Sequence, residues 1–375
     1  MKVLFDARPV HKRMHGIARH TIEILKAISK IDSENKWTVL ALEEGKEHLP
    51  KLPENFEFFF VKVPPYTPFE HILIPYLLSK MHYDIFYSPT YIFPLFIKGR
   101  VFMTIHDLIP LTFPENYGFF KSTYYKKILS LCMRRAEKIF TVSKSTAMDI
   151  ERFFGEKDKV IIIPTGVSEG FSAVKGERDE DILKELSISK PYIIFVGNER
   201  PHKNFLNTAK AFEILKEKFP SLKLIAVGIS ERDALRITGK KIERILCKEN
   251  LSDEKISVLL RNAELAVMPS FYEGLCLPVL EAMACGCPVI TSNTSSLPEV
   301  VGSAGIMINP SNPSEIAEAI VALLRDDEKR NKLREEGLKR AREFSWERAA
   351  CFILSQLFSK PFPTLFQNDF PSHKQ

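Results

Sequence analysis

The sequence predicts an α/β protein of two doubly wound, Rossmann-like parallel sheets with a cleft between them. Three observations carry this. The 375 residues exceed what one ordinary hydrophobic core holds, so two domains are expected. Short apolar runs alternate with helical stretches along most of the chain, which is the pattern of a parallel sheet covered on both faces. A polar, acidic stretch at 168–190, with Arg178-Asp179-Glu180-Asp181, interrupts that alternation and reads as a linker plus a short helix. The first domain is therefore placed at 1–167 and the second at 191–349.

In the first half, strands are expected at 3–5, 37–42, 56–61, 101–105, 139–142 and 160–163, with a helix at 17–29. In the second half they are expected at 192–196, 222–227, 265–268 and 288–291. A helix over roughly 204–219 puts Leu206, Ala209, Phe212, Leu215 and Phe219 on its apolar side. Another helix follows Pro278, which suits a first turn, and is stopped by Gly286. Hydrophobic content of 45% and charged content of 27% describe a globular chain. No apolar run is long enough to span a bilayer, and Asp6 falls where a signal peptide would need its apolar stretch. The cysteines are scattered apart from Cys285 and Cys287, and no second ligand pair with zinc spacing accompanies those two. Buried free thiols in a reducing cytoplasm are the expectation, with no metal and no cofactor.

The densest information lies between Pro269 and Glu299. A buried strand is followed by Ser270-Phe271-Tyr272-Glu273-Gly274-Leu275-Cys276-Leu277-Pro278, then a helix carrying Glu281, eight positions after Glu273. Ligands of open α/β sheets bind at this end of the strands. The backbone N–H groups of Gly274, Leu275 and Cys276 lie near a helix start and can receive anionic oxygens. An ionised carboxylate accepts two vicinal hydroxyls, as on a ribose or a sugar. Taken singly, Glu281 as a helix cap and Glu273 as a solvated acid would be the blander reading. The whole string, with its glycine, proline and spacing, points to a polyhydroxylated anionic ligand.

Three further stretches add to this. In Gly197-Asn198-Glu199-Arg200-Pro201-His202-Lys203-Asn204 a strand ends in a polar loop that sets Lys203 at a helix start. A cation is misplaced there against the helix dipole unless an anion shares the site. Near the N-terminus, Gly16 precedes a helix, and Arg8, Lys12, Arg13 and Arg19 around it read as surface cations. In Val101–Pro110, His106 ends an apolar strand, and a structural histidine is the commoner case for such a residue alone.

The 269–299 segment resembles the Glu-x7-Glu signature of family 4 retaining glycosyltransferases, which have the GT-B fold, and weaker matches run through most of the chain. The resemblance implies that Glu281 holds the donor ribose, that Glu273 lies against the donor sugar, and that the amides of Gly274, Leu275 and Cys276 meet sugar or diphosphate. Cys276 stands where an aromatic residue or glycine is usual. Lys203 matches the basic residue that grips the diphosphate. Where relatives often carry an arginine directly after the glycine, this chain has Asn198, so either Arg200 reaches that phosphate or one cation is absent. Gly16 matches one glycine of the N-terminal loop beside the donor phosphate, and His106 matches a histidine at the reaction centre. The segment after Phe344-Ser345-Trp346 resembles the family's closing helix, at about 350–375, which completes the first domain.

Glycosyl transfer requires stabilising an oxocarbenium-like sugar and a departing nucleoside diphosphate, which calls for cations and dipoles rather than a base alone. Lys203, Arg200 and helix N-termini supply them, and no Asp-x-Asp triad suggests a divalent ion. Retention can arise by double displacement or by same-face attack; no clear nucleophile is visible, and the resemblance implies same-face attack, with the donor phosphate taking the acceptor's proton. Gly16-Ile17 and His106-Asp107-Leu108-Ile109-Pro110 look most like mannosyltransferases of surface-polysaccharide assembly, which implies GDP-mannose as donor and a glycan or lipid-linked acceptor. The net charge of +6 is concentrated at 121–138, where Lys127, Arg134 and Lys138 fall on one helical stripe among aromatic residues. With Phe119 and Phe120, residues 119–138 suit contact with an anionic membrane from the cytoplasmic side, although a solvated face is the commoner case. No nucleic-acid recognition module is visible. The competing readings are a sugar-nucleotide epimerase or phosphorylase on the same fold, and a non-catalytic sugar-nucleotide-binding protein. An oxidoreductase is disfavoured because no Gly-x-Gly-x-x-Gly follows a strand.

Overall fold

The computed structural model describes residues 1–11 and 16–361, with the backbone alone at 119–121. Lys12, Arg13, His15 and the end of the closing segment lie outside the described residues. The chain forms two compact units, Met1–Gly166 joined by the stretch from Ser345, and Val167–Phe344.

Among the described residues the first unit holds seven strands: β1 Lys2–Asp6, β2 Lys36–Leu42, β3 Phe56–Val61, β4 Ile85–Ser88, β5 Arg100–Ile105, β6 Lys138–Thr141 and β7 Val160–Ile162. Their order is β3-β2-β1-β4-β5-β6-β7. Every pairing is parallel. Alternation along the strands sends neighbouring residues to opposite faces. Leu4, Phe86, Met103 and Ile139 join one apolar layer. On neighbouring positions Phe5 meets Tyr87 edge-on, and Tyr87 and Phe102 meet Phe140. The helix Trp346–Phe358 packs along the helix Gly16–Ile31. Ser345 caps it by accepting from the Arg348 N–H, and Ala349, Ala350, Ile353 and Leu357 are buried.

The second unit holds six strands: β8 Tyr192–Val196, β9 Lys223–Val227, β10 Ile245–Lys248, β11 Ala266–Met268, β12 Val289–Ser292 and β13 Ile306–Ile308. Their order is β10-β9-β8-β11-β12-β13, again all parallel. One face carries Tyr192, Ile194, Ile225 and Met268, and the other Ile193, Phe195, Leu224 and Val267. In each sheet the chain leaves the central strand on one side and returns on the other. The reversal falls between β1 and β4 in the first unit and between β8 and β11 in the second. Loops from those paired strand ends leave in opposite directions, which opens a crevice for a ligand.

Two expectations need correction. The stretch 168–190 is part of the second unit rather than a free linker, because Phe171, Ile182, Leu183, Leu186 and Ile188 are buried in its core. Asp179 there takes a forked pair of hydrogen bonds from Arg261, at 2.7 and 2.8 Å. The stripe Lys127, Arg134 and Lys138 is broken. The helix Phe119–Arg135 ends when Ala136 turns extended and the Glu137 N–H donates to the Val101 carbonyl, so Lys138 opens β6.

Candidate functional site

At the crossover of the second sheet, β8 and β11 end side by side. The loop after β8 starts at Gly197, whose carbonyl lies against Gly228 at the end of β9, where φ is +85°. A Cβ there would approach that oxygen to 2.5 Å. A 3₁₀ turn, Pro201–Lys203, follows, and then Asn204 in the left-handed region at φ +61°. Asparagine tolerates this conformation. Its buried Nδ2 donates to the carbonyls of Pro269 (2.8 Å) and Pro310 (2.7 Å). The Phe271 N–H donates to the His202 carbonyl at 2.8 Å. These bonds clamp the loop after β8 to the loop after β11.

The clamp brings Lys203 to Glu273. The ammonium lies 2.8 Å from both carboxylate oxygens, and Ser270 Oγ donates to Oε1 at 2.6 Å. The Glu273 main chain is held as well. Its N–H donates to Ser295 Oγ, and its carbonyl accepts from Ser295 Oγ (2.7 Å) and Ser296 Oγ (2.9 Å). Glu273 is therefore fixed by backbone and side chain together. Lys203 keeps 18% of its side chain exposed, against 7% for Glu273. The misfit expected of a cation beside a helix start is thus answered within the chain by a carboxylate. Arg200 is exposed on the same loop, and its charge reaches His202. Burial pushes His202 down to about 4, although Glu273 opposes that shift, so its imidazole is neutral at pH 7.

After Glu273 the chain passes Gly274 and Leu275 to Cys276, a non-glycine residue at φ +69° that caps the helix Leu277–Ala284. Such a conformation costs energy and concentrates at ligand sites. Burial pushes the Cys276 thiol well up, and the charges of Glu273, Lys203 and Glu281 all act on it. Glu281, in the second turn of the helix, is 3% exposed. Cys285 and Cys287 are buried and unlinked. Among the described residues no three His, Cys, Asp or Glu side chains are grouped to hold a metal.

The first sheet's crossover is built differently. Arg8, read as a surface cation, is fully buried. It forks onto Asp6 at 2.8 and 2.7 Å and donates to Glu70 Oε2 at 2.9 Å. The other Glu70 oxygen accepts from the Tyr66 N–H. With two carboxylates around one guanidinium, burial pushes Glu70 up to about 7. His106 follows β5, and its Nε2 lies 2.9 Å from the Pro89 carbonyl beyond β4. A carbonyl only accepts, so Nε2 carries the proton. His20 meets the His106 ring edge-on at 4.5 Å, and Trp346 in turn meets His20. Gly16 opens the helix bearing His20, and a Cβ there would meet nothing within 4 Å.

Sequence reading singled out Lys203, Glu273 and Glu281 but gave no sign of the clamp that joins Lys203 to Glu273. Asn204 carried a signal, being an asparagine at a turn. Ser270, Ser295 and Ser296 carried none beyond turn composition. Only the fold brings His20 to His106.

Residues 14–170 match the family described as Glycosyltransferase Family 4, and residues 178–340 match Glycosyl transferases group 1. O-antigen chain mannosyltransferase B of Escherichia coli is 28% identical over 375 aligned residues, covering 92% of this chain and 97% of that protein. MMP alpha-(1->4)-mannosyltransferase of Mycolicibacterium hassiacum is 31% identical over 58% of this chain and 53% of its own. Among solved structures, sucrose-phosphate synthase from Thermosynechococcus elongatus gives a TM-score of 0.78 at 17% identity, covering 96% of this chain and 98% of that one. WaaG, a glycosyltransferase involved in lipopolysaccharide biosynthesis, gives 0.72 at 16% identity, covering 95% and 99%. With both halves matched and the fold shared, the chain belongs to the glycosyltransferases of family 4 and group 1 type, with the GT-B fold.

Proposed function

We propose that this glycosyltransferase moves mannose, with retention, from GDP-mannose to a glycan or lipid-linked acceptor. The observation that carries the donor site is the clamped pair Lys203–Glu273 at the β8/β11 crossover, with buried Glu281 one helix turn beyond. Lys203 is the partly exposed member, so it can turn from Glu273 to a diphosphate while the serines keep Glu273 in place. Glu273 then faces the sugar, Glu281 holds the ribose, and the amides of Gly274, Leu275 and Cys276 meet anionic oxygens. Gly16 and Arg200 are proposed to contribute at the phosphate, and His106 to serve the reacting sugar. Mannose is supported by the relatives named mannosyltransferases. A cation supplied by the protein supports transfer without a divalent ion.

Residues 119–138 are proposed to contact an anionic membrane, since Lys126, Lys127 and Arg134 are exposed. No helix among the described residues is long and apolar enough to cross a membrane. The deciding experiment is a thermal-shift screen of nucleotide sugars, followed by product analysis with the donor that stabilises the fold. Stabilisation by GDP-mannose, and mannosyl product formed with EDTA present, is the expected result. An epimerised donor, a free sugar phosphate, or binding without turnover would replace this reading with one of its competitors.

A further inference from the structure

The first unit carries an apolar ridge that the glycosyl-transfer chemistry does not use. The helix Glu70–Leu77 buries His71, Ile74 and its acid, and turns the rest of its apolar residues outward. Phe69, Ile72 and Tyr76 are 70%, 69% and 75% exposed, and Leu73 and Leu77 are also exposed. Phe96, 72% exposed, stands on a neighbouring loop. That loop is tied to the ridge, because the Leu95 N–H donates to His71 Nδ1. It is tied equally to the basic helix Phe119–Arg135, whose Arg135 donates to the carbonyls of Ile97 and Gly99. Ridge, loop and basic helix are therefore joined neighbours in the first unit. A cluster of exposed large apolar side chains on one short helix marks an interaction surface rather than ordinary exposure.

Charge identifies the occupant. Residues 62–83, 91–100 and 119–136 contain a single acid, Glu70, and it is buried. The same stretches expose Lys62, Lys80, Lys98, Lys126, Lys127 and Arg134. Apolar side chains rimmed mostly by cations, with Asp84 and the Arg100-paired Glu137 as exposed acids at the edge, complement an anionic lipid surface. The side chains enter the acyl boundary and the cations meet the headgroups.

We propose that the helix Glu70–Leu77 with Phe96 is the element that inserts into an anionic membrane, with the basic helix as its electrostatic partner. This rests on the membrane reading of 119–138 for the charged part and adds the apolar anchor. The test is cosedimentation with vesicles of mixed phosphatidylglycerol and phosphatidylcholine, and with phosphatidylcholine alone. It needs neither donor nor acceptor, so it can fail while the transfer reading stands, and the reverse. The unaltered chain is expected to bind the mixed vesicles and to bind phosphatidylcholine far less. Ile72→Asp/Tyr76→Asp should weaken binding by about tenfold or more with an unchanged melting temperature, and Phe96→Asp should act in the same direction. Lys126→Glu/Lys127→Glu should weaken only the anionic, salt-sensitive part. Unchanged binding in Ile72→Asp/Tyr76→Asp, or no binding of the unaltered chain to mixed vesicles, overturns the proposal. So does a dimer in light scattering that the same variant dissolves, since the ridge would then be a protein interface.

Discussion

Both sheets place a buried ionic group at the crossover of their strands, and the two groups are built for different tasks. In the first unit Arg8 is sealed, with Asp6 and Glu70 both pressed on it. In the second, one lysine faces one carboxylate, the serines hold the carboxylate, and the lysine keeps partial access to solvent. A sealed triad cannot exchange partners without exposing uncompensated charge, so it braces the loops after β1 and before the helix Glu70–Leu77. A half-open pair leaves its cation within reach of a phosphate. The two groups share a position at a crossover and differ in the access of the cation, and the proposed diphosphate site rests on that difference.

The largest effect is expected where the bracing is removed. Arg8→Ala leaves two carboxylates buried without a cation, which costs about 3–5 kcal/mol. Chemical denaturation should show that loss in the unfolding free energy, and a near-neutral result would mean that the triad braces nothing. On the other side of the comparison, Glu281→Ala should leave the fold largely intact. It should weaken binding of GDP itself by roughly 1.5–3 kcal/mol, about tenfold or more, as read by calorimetry. Full affinity in that variant would remove Glu281 from the donor site.

A smaller effect is expected from pH. Glu70 is raised from 4.5 to about 7 by burial, so the folded chain holds a proton there that the unfolded chain releases near pH 4.5. Folding therefore takes up a proton within that window, and this group's contribution to stability is lost as pH rises from about 4.5 to 7. Glu70→Gln removes the titrating proton, keeps one of the two acceptors that Arg8 and Tyr66 use, and should flatten the fall of melting temperature across that range. An identical slope in both proteins would show that Glu70 does not titrate there.

The sequence displayed the two-sheet architecture through its apolar runs, yet β4, β10 and β13 escaped it. Each is only three or four residues long, but so are β6, β7, β11 and β12, which were read correctly, so length alone does not account for the miss. The 168–190 stretch misled because its acids mask Ile182, Leu183 and Leu186, which face the core. Lys203, Glu273 and Glu281 were legible because glycine, proline and charge recur there at telling spacings. Their pairing was not legible, since it depends on Asn204 reaching Pro269 and Pro310, contacts across 65 and 106 residues of chain. Arg8 was misjudged for the same reason, because its partner Glu70 lies 62 residues away.

The central claim is that the half-open pair of the second unit receives the donor diphosphate and the sealed triad of the first does not. Calorimetric titration of GDP into the unaltered chain, Lys203→Ala and Glu70→Gln tests it directly. The account predicts about a tenfold or greater loss of affinity in Lys203→Ala and an unchanged affinity in Glu70→Gln. Equal affinity in the unaltered chain and Lys203→Ala would contradict it.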